Sequence, residues 1–156
     1  MEFKGMEEEA LRLDIIRPAL KITNLWSMSA ENLLVGTASV ESGLNVLRQR
    51  GGGGAISFYQ VEVDTYKSIT KYLNTRQSDI RDLILTACYL ETFPDASAMI
   101  WNLRLATLIA RCVYYRRPEP LPDESDSEGL CNYYLKYYNT RLGKSTFDKS
   151  IPHFIF

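Results

Sequence analysis

The chain has 156 residues, enough for one domain with a buried core and too few for two of ordinary size. Its 18 Lys and Arg stand against 19 Asp and Glu, a formal net charge of −1, which argues against a dedicated nucleic-acid binder. Apolar residues at 46% exclude wholesale disorder, and 10 tyrosines suit a half-wet groove as well as a core. Cys88, Cys112 and Cys131 are too widely spaced for a disulfide framework or a zinc site, and His153 is the only histidine, so neither metal nor cofactor is expected and the composition suits a reducing compartment. The first 14 residues are acidic, so no signal peptide is expected. No apolar run approaches the roughly 20 residues of a membrane span.

In chain order, Leu11, Ile15, Ile16, Leu20 and Ile22 predict a helix over 7–22, with Pro18 placed to kink or divide it. A second helix is expected to start near Ser29, a good cap, and to stop near Ser42-Gly43. The glycine run in 48–54 cannot continue it. Residues 55–63 then read as one short strand or extended crossing segment. Asp64 or Ser68 is a candidate cap for a helix over 65–74, and a further helix is expected over 79–92, ended by Pro94. Asp95 is expected to cap the longest helix, 96–116, apolar on more than one face and so central. A Pro-rich acidic loop, 117–127, leads to a last helix over 128–139, with Gly143 in the turn beyond. The tail, 144–156, ends apolar at Phe154-Ile155-Phe156 and is expected to dock on this domain or on a partner. The fold class is therefore mainly α, a helical domain with one short extended or β segment near 55–63.

Three features carry chemistry. At about 3.6 residues per turn, Leu34, Ala38 and Glu41 fall on one side of the second helix. A carboxylate beside an apolar face at a helix C-terminus loses water and meets the negative end of the helix dipole, and both effects favour its protonated form. That is the property a general acid needs. The alternative is a border glutamate that points to solvent or pairs with Arg48 or Arg50. The second feature, Gly54-Ala55-Ile56-Ser57-Phe58-Tyr59-Gln60, is either a close-approach segment or a plain turn; no Gly-Lys-Ser/Thr follows it, so a phosphate loop is not expected. The third, Tyr133 to Gly143, puts Tyr134, Tyr137 and Tyr138 at helical spacing, a pattern that an aromatic core stripe also explains.

In their order these motifs resemble those of the lytic transglycosylases and goose-type lysozymes, which cleave peptidoglycan. Glu41-Ser42 matches the helix-ending Glu-Ser of that group, and Gly54 to Gln60, followed by Val63-Asp64-Thr65, matches its Gly-Ala-x-Gly-Leu-Met-Gln…Pro-x-Thr. Tyr138, Asn139 and Gly143 match its Ala-Tyr-Asn-Ala-Gly-x-Gly. Ser57 stands where the group has a glycine, Val63 where it has proline, and Thr140 and Arg141 where it has other residues. The ending, Pro-Glu-Pro-Leu-Pro and then Tyr-Tyr-Asn-Thr, also resembles short bacteriophage proteins.

The resemblance implies a single α+β lysozyme-like domain over 1–156, with 1–28 as a helical extension and 144–156 as a tail. It makes Glu41 the acid that protonates the glycosidic oxygen between MurNAc and GlcNAc. Ser42, Ser57, Tyr59, Gln60, Tyr138 and Asn139 would lie along the sugar, with Gln60 on its acetamido group or on Glu41 and Tyr138 orienting Glu41. Glu62 and Asp64 are the candidates for a second carboxylate. With no signal peptide expected, release by lysis or carriage in a virion is expected, which places the protein in the virion or in the host cytoplasm before release, with virion tail proteins or a second copy as candidate further partners. The rival expectation is a virion structural or assembly protein that keeps the fold without activity and meets partners through Phe154-Ile155-Phe156 and the tyrosine face.

Overall fold

A computed structural model describes residues 5–45, 47–49, 53–139 and 145–156. Arg50, part of the glycine run, Thr140, Arg141, Gly143 and the start of the expected tail lie outside the described residues. The protein is mainly helical, as composition and periodicity predict.

The first helical stretch is divided at Pro18. Glu8–Ala10 (α1) passes into a π-helical stretch, Leu11–Ile16, and then Arg17–Ile22 (α2). Proline has no N–H to offer and crowds the carbonyl four residues back. The chain answers by widening the preceding turns, so that the Arg17 N–H reaches the Arg12 carbonyl, five residues back.

Met28–Ser42 (α3) is the central helix. Ser27 caps it by accepting from the Ala30 N–H at 3.0 Å, so the start lies slightly ahead of the one expected at Ser29. Every residue from 30 to 38 is buried. Gly43 ends it in the left-handed conformation at φ +58°, with its N–H on the Ser39 carbonyl.

The predicted strand over 55–63 is reduced to two single antiparallel bridges, Arg48 with Ile56 and Ile56 with Val61. The physical reason is backbone conformation: Ser57 and Gln60 take φ +74° and +48°, which folds the extended run into a tight turn.

Val63–Arg76 (α4) starts ahead of Asp64, which sits in its first turn rather than at its cap. Ser78–Ala87 (α5) stops earlier than expected, because Tyr89 at φ +57° turns the chain and the Leu90 N–H closes back on the Leu85 carbonyl. The long helix expected over 96–116 is broken in two. Asp95 caps a 3-10 turn, Ala96–Ile100, and Asn102 then caps Leu103–Tyr115 (α6) by accepting from the Leu105 N–H at 3.0 Å. Asp126 caps Ser127–Tyr137 (α7), and Phe147–Ser150 (α8) leads into a 3-10 turn, Ile151–Phe154. Among the described residues no helix is long and apolar enough to cross a membrane.

Contacts from both ends of the chain hold the periphery to α3. Glu31 is fully buried, and its carboxylate accepts from Arg12 Nη1 at 2.9 Å, Arg17 Nε at 2.8 Å, Arg17 Nη2 at 2.8 Å and Trp26 Nε1 at 2.8 Å. Burial alone would raise its pKa, but the donors from Arg17, Trp26 and Arg12 outweigh burial and bring it down to about 2. At the other end of the chain Phe154 is fully buried over Gly36, where an added Cβ would overlap its ring. The apolar ending thus docks on its own domain through Phe154, while Ile155 and Phe156 stay exposed.

Two predictions follow from these contacts. Glu31→Gln takes a fully buried carboxylate away from two partly buried arginines, of which Arg12 keeps Glu8 at 3.9 Å, and is expected to cost about 1–3 kcal/mol in denaturant unfolding. Because the folded pKa of Glu31 lies below its ordinary value of 4.5, its contribution is complete above that pH and drains away as pH falls toward about 2. The wild type should therefore lose more stability than the variant across that acid window. Gly36→Val should displace Phe154 and cost about 1–3 kcal/mol by overpacking, read as a lower thermal midpoint.

Candidate functional site

A groove of about 1120 Å³ runs along the end of α3, the turn before α4, and the ends of α6 and α7. Glu41 enters it because Gly43 ends α3 just beyond, leaving the last turn at the groove rather than under another helix. The Glu41 side chain is half-buried. Tyr134 on α7 donates its hydroxyl hydrogen bond to Glu41 Oε1 at 2.6 Å. Burial pushes the Glu41 carboxyl above its ordinary value, the Tyr134 hydroxyl opposes that, and the charge of Glu62 adds to it. The partner found for Glu41 is thus a neutral donor, and not Arg48, whose side chain is exposed.

Gln60, Glu62, Asp64, Tyr138 and Asn139 line the same groove. Left-handed Gln60 is held by its own turn, its Nε2 donating to the Ser57 carbonyl at 2.7 Å. Glu62 and Asp64 are exposed at the start of α4. Asn139 stands past the last turn of α7, with Nδ2 donating to the Ser145 carbonyl at 3.0 Å. Ser42 borders the groove but is buried; its hydroxyl donates to the Ala38 carbonyl at 3.0 Å and accepts from the Leu44 N–H at 3.2 Å.

Three expectations need correction. Ser57 is fully buried, with Oγ accepting from the Tyr59 N–H, so it offers no side chain to a ligand. Tyr59 is buried too; its hydroxyl pairs with Thr107 Oγ1 at 2.9 Å in the core. The left-handed backbone at Ser57 breaks the alternation that would have turned Tyr59 outward. Tyr138 does not hold Glu41: its hydroxyl donates to the Tyr59 carbonyl at 2.5 Å and ties α7 to the turn.

The residue that orients Glu41 is Tyr134, one of the three tyrosines that the helical spacing groups together and not the one to which the resemblance gives that role. Its ring is fully buried between Tyr138 and Phe154, at centroid separations of 6.0 and 5.7 Å. Tyr114 on α6 completes the layer, stacking on Tyr138 at 5.4 Å and sharing a 2.6 Å hydrogen bond with Thr37 of α3. Tyr114 and Tyr134 therefore point inward behind the groove wall, while Tyr137 and Tyr138 line the groove itself. Arg116 and Arg117 also line the groove; as an adjacent basic pair beyond a helix they were visible in the sequence but had no assigned role. A smaller cavity, about 480 Å³ between α4 and α5, holds none of the predicted site residues. Among the described residues no three His, Cys, Asp or Glu side chains are grouped to hold a metal ion.

Comparison of the chain with protein-family models, with curated proteins and with solved structures gives no match.

The two neighbours of Glu41 act on it with opposite sign. Tyr134→Phe removes a donor to the carboxylate, so the Glu41 pKa should rise. Glu62→Gln removes a like charge, so it should fall. A carbon-detected NMR titration of the Glu41 carboxyl in both variants checks the pair; shifts of the same sign would contradict this electrostatic account.

Proposed function

We propose that the protein cleaves the glycan strand of peptidoglycan with Glu41 as general acid. The observation that carries this reading is the setting of Glu41: a half-buried carboxyl, raised by burial and held by a neutral tyrosine, opening into a groove of about 1120 Å³. Support also comes from Gln60, Tyr138 and Asn139 lining the same groove from the two other motifs of the resemblance. At Ser57, where the resembled group has glycine, the backbone lies in the left-handed region that glycine favours.

On this reading the Glu41 proton passes to the glycosidic oxygen as the bond from C1 breaks, leaving positive charge at C1 and a carboxylate on Glu41. In the transglycosylase course the 6-hydroxyl of the same sugar attacks C1 and returns its proton to Glu41, giving a 1,6-anhydro end. In the hydrolase course water attacks C1, with Glu62 or Asp64 as the second carboxylate, and the product has a reducing end. Tyr134 keeps the Glu41 carboxyl pointed into the groove through both halves of the first course. The protein would then be a phage-type muralytic domain, present in the virion or in the host cytoplasm before release.

The test is muropeptide release from purified peptidoglycan. Glu41→Gln should lower the rate by about 10²–10⁴-fold, the range a general acid supplies, and end-group analysis of the wild-type products separates the two courses. Equal release by variant and wild type would end this reading. It would favour an assembly role through the exposed Trp101, Ile155 and Phe156. Removing a carboxyl that burial disfavours in its charged form should also raise the thermal midpoint at neutral pH. That gain should vanish as pH falls below the ordinary glutamate range, where Glu41 is protonated folded or unfolded.

A further inference from the structure

The groove carries a second charged feature that the cleavage step does not use. Arg116 and Arg117 follow directly on α6 and line the same groove as Glu41. Their backbones are fixed, the Arg116 N–H donating to the Cys112 carbonyl at 3.2 Å and the Arg117 N–H to the Tyr114 carbonyl at 2.9 Å. Arg116 Nη1 donates to Ser68 Oγ at 2.9 Å, and the Arg117 guanidinium lies 5.3 Å from the Tyr137 ring centroid. Among the described residues neither arginine has a carboxylate within ion-pair distance, and the Nε of each is buried without a hydrogen-bond partner.

Burial disfavours the charged form of Arg116, and the neighbouring Arg117 cation adds to that cost. An orphaned guanidinium N–H adds to that cost. Both costs fall if an anion enters the groove. Turning the Nε edge of either guanidinium toward a carboxylate gains a forked pair of hydrogen bonds and breaks none at Nε. The carboxylates that line the groove, Glu41, Glu62 and Asp64, come from α3 and the start of α4, whereas the arginines come from the end of α6. The groove is therefore polarised, acid on one set of elements and base on another.

We infer that Arg116 and Arg117 form a carboxylate-binding subsite of the groove, which takes the acid carried by the lactyl side arm of alternate sugars in the glycan strand. The inference rests on the reading of the groove as a glycan site. It adds a preference: the strand is bound by its side-arm charge as well as by its sugar ring, so a neutral glycan of the same length is the weaker ligand. The acid is either the free lactyl carboxylate or the terminal carboxylate of a peptide attached there, and the chemistry recognised is the same.

The experiment is calorimetric binding in the Glu41→Gln protein, where turnover is slowed about 10²–10⁴-fold. The probes are a neutral GlcNAc tetrasaccharide, a GlcNAc–MurNAc tetrasaccharide with free lactyl acids, its methyl ester, and its peptide-bearing form. The free acid or the peptide-bearing form should bind about tenfold or more tighter than the ester, as expected for a hydrogen-bonded ion pair. Added salt should narrow that ratio. Arg116→Gln and Arg117→Gln, each in the Glu41→Gln background, should bring the ratio toward one. A tight free acid assigns the lactyl carboxylate; a tight peptide-bearing form with a weak free acid assigns the peptide's own. Equal binding of acid, ester and peptide-bearing forms overturns the subsite and leaves the glycan reading standing. Binding of none of the saccharides overturns both. Should an arginine variant fail to fold, the comparison of acid with ester in the arginine-intact protein decides the matter alone.

Discussion

The constraint on which the rest of the structure depends is the enclosure of α3. From residue 30 to 38 it has no exposed side, so every polar atom it carries there must be satisfied by the protein itself. Thr37 does this by bonding back to the Leu33 carbonyl and across to Tyr114. The remaining chemistry is pushed to the two ends, where Glu31 and Glu41 stand. They are the same residue type on the same helix, and their surroundings drive them in opposite directions.

Glu31 lies in the first turn, where the helix dipole favours an anion, and two guanidinium groups and an indole donate to it. Its burial is fully compensated, and it serves as the tie between α3 and the N-terminal helices. Glu41 lies in the last turn, where the dipole disfavours an anion, with one neutral donor and another carboxylate for company. Its burial is only partly compensated. A structural carboxylate and a candidate acid thus differ not in exposure alone but in the number and charge of the donors supplied. The molecule accepts local instability at Glu41 because the tyrosine layer behind it, Tyr114, Tyr134 and Tyr138, is rigid and well bonded.

Local signals carried much of this in the sequence. The Gly43 stop, the Asp95 cap and the apolar spacing of the helices all mark real boundaries, and the placement of Glu41 at a helix end follows from them. What escaped was decided by contacts between distant segments or by single backbone angles. The break at Asn102 sits inside an apolar run that periodicity alone reads as continuous. Which of Tyr134 and Tyr138 meets Glu41 depends on how α7 is rotated against α3, and spacing within one helix leaves that open. Tyr59 points inward because Ser57 adopts a conformation uncommon for a residue with a side chain. Arg116 and Arg117 read as surface charge until α6 is seen to end at the groove.

The packing of Phe154 on Gly36 sets an order of events in the making of the protein. The two residues are 154 − 36 = 118 positions apart, so at 5–20 residues per second the ribosome needs roughly 6–24 s to supply the ring after the glycine. For that interval the middle of the central helix lacks one of its covers. Tyr134, which packs against Phe154, precedes it by only 20 residues and lacks its neighbour for roughly 1–4 s. The acid at the end of α3 therefore gains its finished support late: the groove wall matures after translation of its last aromatic residue, whatever helices have already formed.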